Sequence, residues 1–331
     1  MGYKKTLGTF LSIDGEHNIT YYIYTPDGGD SEDEYVPPRA VLQLTHGMCE
    51  YIERYEEFAK FLTARGVIFC GADHLGHGAS VSSPDDFGYF GGSYENLIDD
   101  QEQLRVIMRK RYRSLPYIML GHSMGSFVAR AYIAKYKSAL DGVIICGTAG
   151  SKKNVGVGIF LSGLISKIRG GRHRSKLLHR AATSGYNSRF SSEKDERSWL
   201  SKSEDIRRRY DKDEKCNFMF TAEGYNELLR LIRGVTGEEW AKSVPQGLPT
   251  LLISGTDDPV GNYGKGIAEV EEWLCNAELY EIRVKMYPGC RHELLNEPES
   301  GEISEDILKW IEDVREGVIE ARTQSVFPLQ I

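Results

Sequence analysis

Gly121-His122-Ser123-Met124-Gly125 has the pattern G-x-S-x-G, between the apolar run Tyr117–Leu120 and a helical pattern over Phe127–Tyr136. A serine placed between a buried strand and a helix sits on a sharp turn whose flanking positions accept only small side chains. The turn lifts the Ser123 hydroxyl above the sheet edge, at the positive end of the helix dipole. A hydroxyl is a weak nucleophile at neutral pH and needs a base. His292 lies in the loop after the strand-like run Ile282–Tyr287, and open parallel sheets place their sites at the C-terminal ends of their strands. His122 adjoins the serine, but on a tight turn it should point away from it. His46, His74 and His77 lie on earlier loops, and His17, His173 and His179 have no supporting context.

An imidazole base needs a carboxylate to fix its tautomer and stabilise its charged form. Asp257 and Asp258 both follow the apolar run Thr250–Ile253. Pro259 pushes Asp258 toward an extended backbone, which suits a side chain reaching sideways from a strand end. Asp258 is therefore the expected acid, and Asp257 a local acceptor that closes the turn. The developing oxyanion needs backbone donors: the N–H of Met124, and that of Met48, where Gly47 permits close approach. Gly121, His122 and Gly125 support the serine turn, and His46 and Gly47 support the Met48 loop. The chemistry expected of Ser123, Asp258 and His292 is acyl transfer to serine and then to water.

The elements that must hold these residues alternate. Strand-like runs at Leu7–Ser12 and Ile19–Thr25 precede a polar loop from Pro26 to Pro38. Ala40–Leu44 and Val67–Ala72 read as buried strands. They flank a helix on which Tyr55, Phe58, Ala59 and Leu62 step i, i+3, i+4, i+7, ended by Gly66. Leu97, Leu104, Ile107 and Met108 share another helical face, and Gly142–Cys146 is a further strand. After a break, Thr250–Ile253, a helix over Ile267–Asn276, Ile282–Tyr287 and a helix carrying Ile307, Trp310, Ile311 and Val314 resume the rhythm. Such alternation predicts an α/β fold, a mostly parallel sheet with helices on both faces. Residues 1–150 and 246–331 are the expected core, and 151–245 an inserted helical cap.

The chain has 331 residues, 40% hydrophobic and 27% charged, which excludes a disordered or fibrous protein. It has no apolar run of 18 residues and no signal-peptide stretch at the N-terminus. The first residues match the short myristoylation pattern M-G-x-x-x-[ST]. Six scattered cysteines without C-x-x-C spacing predict reduced, buried thiols and a cytoplasmic setting. The net charge of −7 divides into +8 over 151–245 and −15 elsewhere, and 151–192 holds nine Lys/Arg and no acid. No nucleic-acid motif accompanies that charge. Phe160, Leu161, Leu164, Ile165 and Ile168, beside Arg169, Arg172, Arg174 and Lys176, read as an apolar lid with a cationic rim. Such a surface can rest on an anionic membrane, or simply be a helix packed on the core.

Together these residues resemble the α/β-hydrolases of the monoacylglycerol lipase and bacterial lysophospholipase type. The likeness rests on His46-Gly47-Met48 with Tyr55, Asp73-His74-Leu75-Gly76-His77-Gly78-Ala79-Ser80, the Gly121–Gly125 turn, Asp258-Pro259-Val260 and Arg291-His292-Glu293. Trp199-Leu200-Ser201 and Cys216–Thr221 add pieces similar to the lysophospholipase branch. The resemblance covers roughly residues 15–315 and implies the α/β-hydrolase fold, with the order Ser123, Asp258, His292. It implies a serine esterase acting on single-acyl lipids without metal or organic cofactor. The basic cap favours a lysophospholipid over a monoacylglycerol, because a phosphate would meet Lys/Arg there. The alternatives are a small-ester or aryl esterase, a thioesterase or a peptidase of the same fold, and a non-catalytic binding protein. The last usually lacks a triad member, and chain-length dependence on aryl esters separates the rest. Oligomeric state is not encoded in any motif.

Overall fold

The inner apolar runs become strands buried on both faces, while the two edge strands, Gly2–Leu11 and Ile282–Tyr287, stay partly exposed. The computed structural model describes residues 2–27 and 36–326. Its elements are, in order, β1 (Gly2–Leu11), β2 (Asn18–Asp27), β3 (Ala40–Thr45), α1 (Glu56–Thr63), β4 (Val67–Ala72), α2 (Glu95–Arg111), β5 (Tyr117–His122), α3 (Met124–Lys135) and β6 (Gly142–Cys146). An inserted stretch follows, with α4 (Val155–Arg169), α5 (Lys176–Thr183), α6 (Glu204–Lys212), α7 (Ala222–Gly234) and α8 (Glu238–Ala241). The chain then returns with β7 (Thr250–Gly255), α9 (Lys265–Asn276), β8 (Ile282–Tyr287) and α10 (Ser300–Val326).

The eight strands form one sheet in the order β1-β2-β4-β3-β5-β6-β7-β8, antiparallel where β2 meets β1 and β4 and parallel from β4 onward. Alternate residues feed two cores, as a strand's two-residue period requires. Tyr117 and Met119 of β5 pack with Leu97, Leu104 and Met108 of α2 and Val128 of α3. Ile118 and Leu120 face Phe58, Ala59 and Leu62 of α1 and Ile307, Trp310, Ile311 and Val314 of α10. Ile107 is only partly buried at the margin of the α2 face.

Several boundaries differ from the sequence reading. β1 and β2 pair from Gly2↔Asp27 to Leu11↔Asn18, so both outrun their apolar segments and Ser12 lies beyond the strand. Pro26 and Asp27 belong to β2, and 28–35 of the expected loop fall outside the described residues. The helix after the serine begins at Met124, with Ser123 itself as its N-cap.

The insertion carries a larger correction. Arg172 pairs with Asp86 and lies over the Tyr89 ring, 4.1 Å from its centroid. Arg174 donates to the carbonyls of Phe87 (2.8 Å) and Pro84 (3.0 Å). Both tie the insertion to the loop before α2, so two of the four cations of the supposed rim act as tethers, although Arg172 stays exposed along with Arg169 and Lys176. The apolar face of α4 is uncovered, with Phe160 67% and Ile168 68% exposed. Asn226 of α7 holds α4 in place by donating to the Ile159 carbonyl and Ser162 Oγ, at 2.7 and 2.9 Å. Five cysteines are buried thiols, but Cys275 is exposed, because it falls on the outer face of α9. No helix among the described residues is long and apolar enough to cross a membrane.

Candidate active site

Steric demands at the serine turn explain its glycines. Ser123 adopts φ +53°, ψ −118°, a strained conformation fixed by its N–H donating to the Cys146 carbonyl at 3.0 Å. A Cβ on Gly125 would lie 2.0 Å from the Thr45 carbonyl oxygen, and one on Gly121 2.4 Å from that of Gly125. The register pairs Thr45 with Gly121 and His122 with Cys146, so β3, β5 and β6 end level. Between β3 and β5 the chain turns to opposite sides of the sheet, where such sheets open a crevice. Asp258 and His292 follow β7 and β8 at the same end.

The three side chains meet in one line. Ser123 Oγ is 2.8 Å from His292 Nε2, and His292 Nδ1 is 3.0 Å from both Asp258 oxygens. Asp258 is fully buried, and its carboxylate also accepts from the Val260 N–H (2.9 Å) and Ser254 Oγ (3.2 Å). An acceptor so fixed orients the imidazole with Nε2 toward the hydroxyl. Asp257 is not part of this line; its N–H donates to the Cys290 carbonyl. The His46–Met48 loop presses on the serine: a Cβ on Gly47 would lie 2.9 Å from Ser123 Cβ. Neither the Met48 nor the Met124 N–H has a protein acceptor among the described residues.

Behind the line lies a charged cluster that sequence reasoning missed. Glu50 is buried and accepts from the Gly47 N–H, Tyr55 Oη, Arg54 Nη1 (3.1 Å) and His122 Nδ1 (2.8 Å). His122 points away from the serine, as expected, and its Nε2 donates to the His292 carbonyl at 3.2 Å. Arg54 forms a bidentate pair with Glu293, at 2.9 and 2.8 Å. Burial alone would raise the Glu50 carboxyl and lower the His122 imidazole. The attraction between them reverses both, holding Glu50 below the usual carboxylate range and His122 above the usual imidazole range. The cluster thus joins the Gly47 loop, the serine turn and the His292 loop. The available signal was Glu50 itself, four residues before Arg54.

The other loop histidines are structural. His46 Nε2 accepts from the His74 N–H at 2.9 Å, its Nδ1 contacts the Gly47 carbonyl at 2.8 Å, and its ring packs 4.3 Å from that of His74. Burial pushes His46 down to about 4 and His77 to about 3, so all three stay neutral. No group of three or more His, Cys, Asp or Glu among the described residues could hold a metal ion.

A cavity of about 610 Å³ opens onto Ser123 and His292. Its apolar wall includes Leu161, Leu178, Phe218, Leu228 and Ile232, with Met48 and Met124 beside the serine. Trp199 packs on the His292 ring at 5.2 Å, and Tyr186 on Trp199 at 5.0 Å. Trp199 belongs to the segment that carries the lysophospholipase resemblance, whereas nothing in the sequence singled out Tyr186. A more open hollow of about 780 Å³, lined by Leu140, Leu248 and Trp310, contains none of these residues and no nucleophile–base pair.

Residues 36–299 match the family described as serine aminopeptidase, S33. The chain belongs to this α/β-hydrolase family. It is an ester-hydrolysing enzyme of that fold, similar over 92% of its length to 95% of a monoacylglycerol lipase of Mycolicibacterium smegmatis, at 26% identity. A 138-residue stretch is 32% identical to Homo sapiens monoglyceride lipase, covering 41% of this chain and 40% of that one. Among solved structures, a thermostable carboxyl esterase from Bacillus coagulans, in complex with glycerol, superposes with a TM-score of 0.86 at 29% identity. That match covers 95% of this chain and 99% of the other.

Proposed function

We propose that this enzyme hydrolyses single-acyl lipid esters, monoacylglycerols or lysophospholipids, through an acyl-Ser123 intermediate. The observation that carries the reading is the Ser123–His292–Asp258 line opening directly into a deep, mainly apolar cavity. Ser123 Oγ attacks the ester carbonyl carbon as His292 Nε2 takes its proton. The Met48 and Met124 N–H groups hold the oxyanion, and Asp258 stabilises the imidazolium. Collapse expels the alcohol, which His292 protonates. His292 then draws a proton from water as the water attacks the acyl-serine, and on collapse it returns that proton to Ser123 Oγ, which leaves as the hydroxyl while the fatty acid is released.

Two observations weigh against other substrates. A peptidase selecting a free amino terminus needs an unpaired carboxylate. Glu50 and Glu293, the carboxylates lining the cavity, are both bound to Arg54. A small-ester hydrolase has no use for so large an apolar space. The uncovered face of α4 supports peripheral contact with a lipid surface, since its Val157 and Leu161 also line the cavity. The test is hydrolysis of monoacylglycerols, lysophospholipids and short aryl esters by wild type and Ser123→Ala, with phosphonate labelling of Ser123. Activity confined to short aryl esters would sink the lipid reading, and labelling elsewhere the serine assignment.

A further inference from the structure

Among the charged side chains that line the cavity, the carboxylates are paired and Arg197 is engaged by Asp211 and Asn217, at 2.9 and 3.0 Å. Lys152 and Lys153 differ. Neither forms an ion pair among the described residues, although the Asp258 charge attracts Lys152 from a distance, and the first turn of α4, which follows them, contains no acid. Lys153 is exposed at the rim, whereas Lys152 is largely covered. The Lys152 ammonium donates once, to the Val260 carbonyl at 2.8 Å, and lies 5.6 Å from the centre of the Tyr186 ring. An ammonium has three N–H donors, so two remain without a protein acceptor. Burial disfavours the Lys152 charge and Asp258 offsets this only in part, so a partner that arrives with the substrate removes the remaining cost.

The position fixes which part of the substrate that partner belongs to. Val260 follows Asp258 by two residues, and Lys152, Tyr186, Trp199 and His292 form a continuous row. Lys152 therefore stands on the base side of the serine. His292 protonates the departing alcohol, so the alcohol moiety passes along this row while the acyl chain takes the apolar wall.

We propose that Lys152 binds an anionic group on the alcohol part of the substrate, and that the preferred ester is one whose alcohol carries a phosphate. This rests on the lipid-ester reading above and sharpens it. It replaces Arg172 and Arg174, which tether the insertion, by a cation placed beside the chemistry.

The test uses Lys152→Gln, which removes the charge but keeps a donor for the Val260 carbonyl. kcat/KM is measured on 1-lauroyl-lysophosphatidate and on 1-lauroylglycerol in matched neutral detergent micelles. The ratio of the two should fall roughly tenfold or more in the variant, as loss of a charge-assisted hydrogen bond implies. Glycerol 1-phosphate should also inhibit hydrolysis of soluble 4-nitrophenyl butyrate more weakly in the variant. That second arm contains no lipid surface, so it separates a site for phosphate from attraction to charged micelles. An unchanged ratio overturns the proposal, as does equal inhibition of the two proteins or wild type rejecting the phosphate-bearing ester. Wild type rejecting both lipids overturns the lipid reading itself.

Discussion

Replacing Glu50 by glutamine tests the charged cluster behind the triad. The side chain keeps its size but loses the charge that faces His122 and Arg54. Glu50 and His122 are 2% and 4% exposed, so water screens their attraction little. Breaking a buried pair costs ~3–5 kcal/mol, and the lower end applies because His122 can release its proton. At roughly 2 °C per kcal/mol for a chain of this size, the variant should melt about 6 °C below wild type. The pH dependence is a sharper signature. The Glu50 pKa is lower in the folded protein than its ordinary 4.5, so its contribution is present above that pH and lost as the pH falls through the folded value. The His122 pKa is raised above 6.5, so its contribution is complete below that pH and lost as the pH rises through the folded value. Wild type should therefore be most stable between these limits. Glu50→Gln should lose the acid-side dependence that Glu50 contributes and, with His122 left neutral by burial, the alkaline-side loss as well; its stability should instead fall as the pH drops below the ordinary imidazole value. Since Glu50 also holds the Gly47 N–H, kcat on a soluble ester should drop on the order of tenfold to a hundredfold. Calorimetric melting from pH 2 to 9, with parallel rates, measures both. A variant melting within about 1 °C of wild type with the same pH profile would refute the cluster's role.

Asp258→Asn should lower kcat on the order of 10³–10⁴-fold by losing the acceptor for His292 Nδ1, and Asp257→Asn much less; steady-state kinetics on an aryl ester decide, and the reverse ranking refutes the geometry. Phe160→Ser with Ile168→Ser should weaken sedimentation with lipid vesicles and slow hydrolysis there, sparing a soluble short-chain ester. Arg174→Glu, which breaks the tether to Phe87 and Pro84, should lower the melting temperature and slow both substrates together; a selective effect on vesicles would restore Arg174 to a lipid-facing role.

The strand and helix rhythm, the serine turn and the order Ser123, Asp258, His292 were all determined by local sequence. Each rests on a short-range rule: an apolar period, glycines flanking a tight turn, or a proline fixing its neighbour. Strand pairing was not local. β1 is an edge strand, mostly exposed, and its length comes from its partner β2 rather than from its own hydropathy. The roles of the charged residues were likewise decided only by tertiary structure. A run of Lys/Arg in sequence carries no sign of which carboxylates and carbonyls it will meet. Folding placed Arg172 and Arg174 against Asp86, Phe87 and Pro84, drew Glu50 against His122 across 72 residues, and left Lys152 in the cavity without an ion-pair partner among the described residues. Electrostatic function depends on neighbours through space and on how much water they exclude, and neither quantity exists until the chain has folded.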